Sequence, residues 1–334
     1  MMNFVKRLME TGLMLMLMLM LSVTASPSLA QGQGQGQVQS PFQPQIPKED
    51  LHLVFVGDIM LDGLPGRWIE RGHDPFAGFS SVLTQSDLTI GNFESALGNT
   101  GHAENKPYVF RAKARVLPWV KKYFHAISLA NNHTGDYGPE GLSQAIDWMD
   151  AMGLAHFGAG KEIRAAHEPF VFDVKGKRIA VLGYDLFLPR SFEALDDRAG
   201  TAWGEREYIS ADIRRAKEFY HADVVMIYPH WGWEGEKTAS GAQVELAHWM
   251  IDQGADAVVG GHPHVTQNIE VYKGKPIFYS LGNFVFDGFH DPDTTTGWVL
   301  KLTLQVDGQW RWETLTARLD RNGIPHPEKT RKNF

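Results

Sequence analysis

The chain has 334 residues, a formal net charge of −7 and no cysteine. The acidic balance excludes nucleic acid or an anionic lipid surface as the main partner. The missing thiols exclude disulfides, a lipoprotein anchor and thiolate-type metal sites, so an exported chain of this kind relies on its core or on bound metal.

Residues 1–30 have a basic start (Lys6, Arg7), an apolar Leu/Met run from Gly12 to Val23 and a small-residue end, Ser28-Leu29-Ala30. This layout predicts a secretory signal cleaved after Ala30, and hence a periplasmic or secreted protein. The run falls short of the ~20 apolar residues of a membrane span, so retention as an uncleaved anchor is the lesser expectation. Residues 31–50, with Gln-Gly repeats and then Ser-Pro-Phe-Gln-Pro, read as a flexible linker. One folded domain is expected over 51–320, with a tail at 321–334.

The first strand-like run, Leu51-His52-Leu53-Val54-Phe55-Val56, ends at Gly57-Asp58. The next, Asp87-Leu88-Thr89-Ile90, is followed by Gly91-Asn92-Phe93-Glu94. Ala126 to Ala130 leads into Asn131-Asn132-His133, and Asp223 to Tyr228 into Pro229-His230-Trp231-Gly232. Ala257 to Gly260 is short and continuously apolar or small, as in a strand covered on both faces. It stops at Gly260-Gly261, where the backbone can approach a bound object closely, and then presents His262 and His264.

Helical patterns separate these runs. One opens at Pro139-Glu140-Gly141 with Leu142, Ala145, Ile146 and Met149 on one face and Gly153 past its end. A second runs from Ala211 to Tyr220. A third runs from Ser240 to Gln253, with Gly254 at the C′ position. Strand-helix-strand repetition predicts a largely parallel sheet with crossover helices. Three hairpins follow: Phe170–Val174 with Arg178–Gly183, Asn268–Tyr272 with Pro276–Leu281, and Trp298–Val306 with Gln309–Ala317. The last is the plainest, because Asp307-Gly308 suits a two-residue turn. The whole predicts a mixed α/β sandwich with antiparallel edges.

One pattern therefore recurs: an apolar strand, a small residue, then Asp58, Glu94, Asn132/His133, His230 or His262/His264. Parallel strands would bring all of these to one rim, where α/β sheets bind ligands. Carboxylate, amide oxygen and imidazole together suit one or two divalent ions, Mn²⁺, Fe or Zn²⁺, and Glu94 could bridge two. Such an ion is a Lewis acid that makes water a usable nucleophile near neutral pH, and His133 could donate a proton to a leaving group. The substrate-contact candidates are Trp231, Glu234 and Asn283. The indoles of Trp231 and Trp233 serve either as a polymer-binding wall or as core filling.

Val56-Gly57-Asp58-Ile59-Met60-Leu61, Asn92-Phe93-Glu94, Ala130-Asn131-Asn132-His133, His230-Trp231-Gly232-Trp233-Glu234, Gly261-His262-Pro263-His264-Val265 and Ser280 to Asp287 resemble the CapA family, the poly-γ-glutamate capsule synthesis proteins. That family is similar to the calcineurin-like metallophosphoesterases. The resemblance implies a four-layer α/β sandwich of two mixed sheets. It implies one metal on Asp58 and His264, a second on Asn132, His230 and His262, Glu94 bridging, and His133 as proton donor. Two residues depart from the phosphoesterase pattern. Met60 stands where a ligand histidine is usual, and Glu94 stands for an aspartate. Either His290 or Asp287 could make good the missing ligand.

The functional expectation is an exported metal-dependent hydrolase, phosphoesterase-like, in poly-γ-glutamate, capsule or cell-envelope polymer metabolism. The alternatives are a non-catalytic polymer-binding or export component, and a structural domain with an inherited metal site. The expected partners are an anionic cell-envelope polymer or a phosphorylated small molecule, with capsule synthesis or export proteins beside them, and no nucleic acid.

Overall fold

The computed structural model describes residues 49–328. The expected signal segment, linker residues 31–48 and residues 329–334 lie outside the described residues. The chain first lays down β1 (Leu51–Ile59), β2 (Leu88–Phe93), β3 (Ala126–Ser128) and β4 (Ala155–Phe157). A second sheet takes β5 (Phe170–Val174), β6 (Lys177–Asp185), β7 (Val224–His230), β8 (Ala257–Val259), β9 (Ile269–Tyr272) and β10 (Lys275–Phe278). The chain then returns to the first sheet with β11 (Asn283–Val285), β12 (Thr296–Leu304), β13 (Trp310–Leu319) and β14 (Pro325–Pro327).

The first sheet has the order β14-β13-β12-β1-β2-β3-β4, with β11 also paired to β1, and the second β9-β10-β8-β7-β6-β5. In the first, β1 to β4 are parallel and β12 to β14 antiparallel. In the second, β6, β7, β8 and β10 are parallel, with β5 and β9 antiparallel at the edges. The rim read from the sequence as one edge is therefore shared by two sheets.

Strand periodicity explains the layering. Along β1, Leu51, Leu53 and Phe55 enter the core between the sheets, whereas Val54, Val56 and Ile59 face a second core beneath helices. Along β7, Val224, Met226 and Tyr228 join the inter-sheet core, and Val225 and Ile227 face helices on the far side. A strand apolar on both faces needs cover on both. The helices α1 (Gly63–Glu70), α2 (Leu117–Tyr123) and α3 (Gly138–Met152) cover the first sheet, and α4 (Arg206–Glu218) and α5 (Gly241–Asp252) the second. The result is the expected four-layer sandwich. No helix among the described residues is long and apolar enough to cross a membrane.

Local signals behave as their chemistry dictates. Gly153 takes a left-handed conformation after α3, with φ of 64°, and Ser240 and Gln243 form a reciprocal capping box at the start of α5. The Lys175-Gly176 and Lys273-Gly274 turns have positive φ at both residues, as two-residue hairpins require. The Asp307-Gly308 turn differs from expectation. Only Gly308 has positive φ, and Gln305 N–H donates to the Gln309 carbonyl at 2.9 Å across a three-residue loop. The sheet also continues past the expected end of the domain, because Ala317 pairs with Pro327.

Gly57 shows what positions the rim. A Cβ there would lie 1.8 Å from the Gly282 carbonyl oxygen, and the contact is made close by Asp58 N–H donating to that oxygen at 3.0 Å. Gly57→Ala is expected to force β1 away from the Leu281–Asn283 backbone and cost about 3 kcal/mol, the upper end for overpacking. Urea unfolding of the purified chain checks this, and a cost near zero would mean that the two segments can separate freely.

Candidate metal centre

The two sheets meet at the carboxyl ends of their parallel strands. Asp58 lies within β1, Asn92 in register beside it on β2, and Glu94 just after β2. Asn132 and His133 follow β3, His230 closes β7, and His262 and His264 follow β8. All are buried, Asp58, Glu94 and His262 completely. Gly261 admits this approach, since a Cβ there would lie 2.7 Å from Asp58 Oδ1. His262 N–H donates to Asp58 Oδ2 at 3.2 Å. His262 and His264 have φ of 97° and 57°, conformations that cost a side-chain-bearing residue about 1–3 kcal/mol and tend to collect at functional sites.

Ligand-type atoms gather in two groups that share Glu94: Glu94 with His230 and His262, and Asp58 with Glu94 and His264. In the first, His230 Nε2 lies 2.8 Å from Asn132 Oδ1, 3.1 Å from His262 Nδ1 and 3.5 Å from Glu94 Oε1. Donors bound at ~2.0–2.2 Å to one ion stand about 3–3.5 Å apart, so this spacing suits a shared cation. In the second, His264 lies 3.5 Å from Asp58 Oδ2 and 3.8 Å from Glu94 Oε1.

The electrostatics call for positive charge. Burial, followed by the neighbouring Asp58, holds the Glu94 carboxyl well above its ordinary range. Burial would also raise Asp58, but the His264 hydrogen bond and the charges of His230 and His264 keep it low. Burial pushes His230 down to about 3 and His262 well below the usual imidazole value. His264 goes the other way, because its hydrogen bond and charge attraction to Asp58 outweigh burial. Glu94 Oε1 and His262 Nε2 are buried without a hydrogen-bond partner. An anion, neutral imidazoles and the orphaned Glu94 oxygen fit a divalent cation, and the N/O donor set suits Mn²⁺, Fe or Zn²⁺.

Asn92 and Asn283 pre-set the donors, and backbone groups fix the Asn283 amide directly and the Asn92 amide through Asn131. Asn131 accepts from His133 N–H and Thr134 N–H and donates to the Phe93 carbonyl. Its remaining amide contact therefore presents N–H to Asn92 Oδ1 at 2.9 Å. Asn92 must then turn its NH₂ toward Asp58 Oδ1, at 2.8 Å, and Glu94 Oε2, at 3.4 Å. Asn283 donates to the Thr294 and His264 carbonyls, so its oxygen faces His264 Nδ1 at 2.9 Å. Nδ1 carries the proton of the neutral ring and Nε2 keeps its lone pair toward Glu94.

His133 is oriented in the same manner. Its Nδ1 lies 2.8 Å from Asp136 Oδ2, which also accepts from Phe110 N–H at 2.7 Å. Lys106 pairs with Asp136 and donates to the Asn132 carbonyl at 2.7 Å. Burial lowers the His133 pKa, so the free ring is neutral, with Nε2 as an acceptor. Asp185, at the end of β6 beside His230, is raised to about 7 by burial. Asn92, Lys106, Asp136 and Asp185 were not among the residues singled out from sequence. Only Asp136, three residues past His133, carries a local signal.

Three expectations are corrected. Trp231 is 2% exposed and its indole N–H donates to the Tyr279 carbonyl at 2.8 Å, so it fills core and is not a polymer-binding wall, though its small exposed surface lines a neighbouring groove. Asn283 is buried with its amide committed to His264 and two carbonyls, so it orients a donor and does not meet substrate. Neither Asp287 nor His290 replaces the ligand missing at Met60. Asp287 accepts from Leu64 N–H at 2.5 Å, His290 is exposed, and neither joins the ligand-type groups. Met60 itself lies in an apolar cluster with Phe286 and Leu319, and its sulfur accepts from Asp62 N–H. Glu234 is exposed, and its charge reaches Glu94 and His264.

A family model described as "Bacterial capsule synthesis protein PGA_cap" matches residues 52–288. The chain is 36% identical over 243 residues to the PGA biosynthesis protein CapA of Bacillus subtilis (strain 168), covering 70% of this chain and 62% of that protein. It is 36% identical over 249 residues to the capsule biosynthesis protein CapA of Bacillus anthracis, covering 72% and 60%. It thus spans about three-fifths of the length of these curated relatives. A 5'-nucleotidase precursor from Thermus thermophilus shares the fold, with a TM-score of 0.51 and 13% identity over 83% of this chain and 56% of that one. At that identity the likeness is one of fold.

Asn283→Ala is expected to free the His264 ring and lower manganese affinity 10- to 100-fold, the range typical for an orienting partner of a ligand histidine. Asn283→Asp, which keeps an acceptor facing Nδ1 but cannot donate to the Thr294 and His264 carbonyls, should fall between the parent and Asn283→Ala. Calorimetric titration of the metal-free proteins checks both, and equal affinities for all three would remove Asn283 from this role.

Proposed function

This chain belongs to the bacterial capsule synthesis protein PGA_cap family, and from that premise we propose that it is an exported, divalent-metal-dependent hydrolase. In this reading it serves poly-glutamate capsule or cell-envelope polymer metabolism and cleaves a phosphoester-type bond. One observation carries the proposal. Buried ligand-type side chains from two sheets form two groups around Glu94, with His262 Nδ1 turned toward His230 Nε2 and Glu94 Oε1 left without a partner.

Asn132, His230, His262 and Glu94 would hold one ion, and Asp58, His264 and Glu94 a second. Bound there, the metal supplies Lewis acidity and stabilises negative charge on a phosphoryl group. The protein contributes the rest. Asn92 and Asn283 hold the donors in place before binding, so little reorganisation is needed on loading. Asp136 holds His133 Nδ1–H and leaves Nε2 facing outward as a proton site. An anionic substrate opposes the effect of burial on His133. The ring then takes a proton at Nε2 and delivers it to the departing oxygen, with Asp136 stabilising the imidazolium.

A second reading keeps the fold and the metal and drops turnover: a binding or export component for an anionic polymer. Met60 favours it. An apolar cluster fills the position of the usual ligand histidine, which leaves the Asp58 group one donor short.

His230→Ala and His262→Ala are each expected to remove bound metal while leaving a folded domain. The loss should also abolish the stabilisation that saturating metal provides, about 2.7 kcal/mol at a hundredfold excess over Kd. Elemental analysis with a phosphodiester assay on the same samples tests this. Unchanged metal content in both variants would refute the assignment, and full metal content in the parent chain without turnover would favour the second reading.

A further inference from the structure

Beside the metal-ligand candidates lies a groove of about 290 Å³ that the mechanism above does not use. It runs from Phe187 and Leu188, past Trp233, to Leu246 on α5. The Phe187 ring lies 3.8 Å, centre to centre, from the ring of His262, so one wall of the groove is also a wall of the candidate centre. Trp233 meets Phe187 nearly at right angles, with centroids 5.6 Å apart and an interplanar angle of 87°.

Local chemistry puts these rings there. Trp231 is drawn inward by its hydrogen bond to Tyr279. Gly232 then turns with φ of 88°, in a place where a Cβ would lie 2.7 Å from Gln243 Nε2. That turn sends Trp233 out, to 60% exposure. The facing segment is tied to the centre by Leu186 N–H donating to the His230 carbonyl at 3.0 Å, and leaves Leu188 63% exposed. Two large apolar side chains held open to solvent beside a polar centre mark a ligand surface.

The lining also states what it excludes. No residue that lines the groove carries a charge. Its polar members, Ser240 and Gln243, bond to each other, and Gln243 donates onward to Gln267 at 3.1 Å. A polyanion would find no cation there. An aromatic corner instead offers face and edge contacts to a flat, uncharged ring.

We infer that this groove binds an uncharged planar aromatic group of a phosphorylated small molecule whose phosphoryl group lies at the metal centre. The inference rests on the metal-centre reading for the position of the phosphoryl group alone. It selects a phosphorylated small molecule over an anionic polymer as the substrate class.

The test titrates the full chain, with and without Mn²⁺, with methylphosphonate, cyclohexylphosphonate and 1-naphthylphosphonate in a calorimeter. The naphthyl compound should bind at least tenfold tighter than the other two. That advantage should vanish in Trp233→Ala and largely survive in Trp233→Phe. Trp233 is exposed, so both variants should melt as the parent does. Equal affinities for the naphthyl and cyclohexyl compounds, or an advantage that survives Trp233→Ala, would overturn the inference. Methylphosphonate binding that needs Mn²⁺, with no naphthyl gain, would sink the groove and leave the metal reading standing. A Trp233-dependent naphthyl advantage in which none of the three compounds binds tighter with Mn²⁺ than without it would sustain the groove and sink the metal reading.

Discussion

Two carboxylates buried side by side set the terms for the rest of this structure. Asp58 and Glu94 lie out of water at the meeting edge of two sheets, and Asp58 pushes the Glu94 carboxyl up beyond the effect of burial alone. Like charges in such a place are costly unless something positive or hydrogen-bonding answers them. The surroundings answer in part. Asn92 turns its NH₂ to both, His262 offers its backbone N–H, and His264 lends a proton-bearing ring. What remains unanswered is Glu94 Oε1, facing His230 and His264, and that remainder defines the shape of a cation site.

Bringing those groups together requires backbone more than side chains. Gly57 lets β1 run against the Gly282 carbonyl, and Gly261 lets the chain after β8 lie on the Asp58 carboxylate. The strain at His262 and His264 is held by the same contacts. The antiparallel strands at the sheet edges and the helix layers build a rigid frame, and the frame over-determines the loops that carry chemistry. This division fits the general rule that sites sit on irregular segments positioned by regular ones.

Much of this was legible in the sequence because strand periodicity is local. Runs such as Leu51–Val56 and Asp223–Tyr228 declare both that they are strands and that both faces are buried. Parallel strands then gather Asp58, Glu94 and Asn132 at one end of the first sheet and His230 and His262 at one end of the second, while the meeting of those two ends comes from the packing of the sheets and is not written in strand periodicity. The residues that sequence reading missed act through register or through amide orientation. Asn92 matters because it pairs across from Asp58, and Asn131 matters because three backbone groups fix its amide. Trp231 and Trp233 are chemically alike, and only the left-handed turn at Gly232 decides which is core and which is surface. The Asp307-Gly308 turn was misjudged because the dipeptide suits both a two-residue turn and a three-residue loop, and pairing of Gln305 with Gln309 selects the second.

The central claim is that a divalent cation belongs between the two sheet edges, with Glu94 as the common ligand. Anomalous diffraction from crystals grown with manganese tests it most directly. The account predicts a peak within bonding distance, about 2.0–2.2 Å, of Glu94 Oε1, His230 Nε2 and His262 Nδ1. A fully ordered site without anomalous signal there, or a manganese ion bound only elsewhere on the protein, would contradict it.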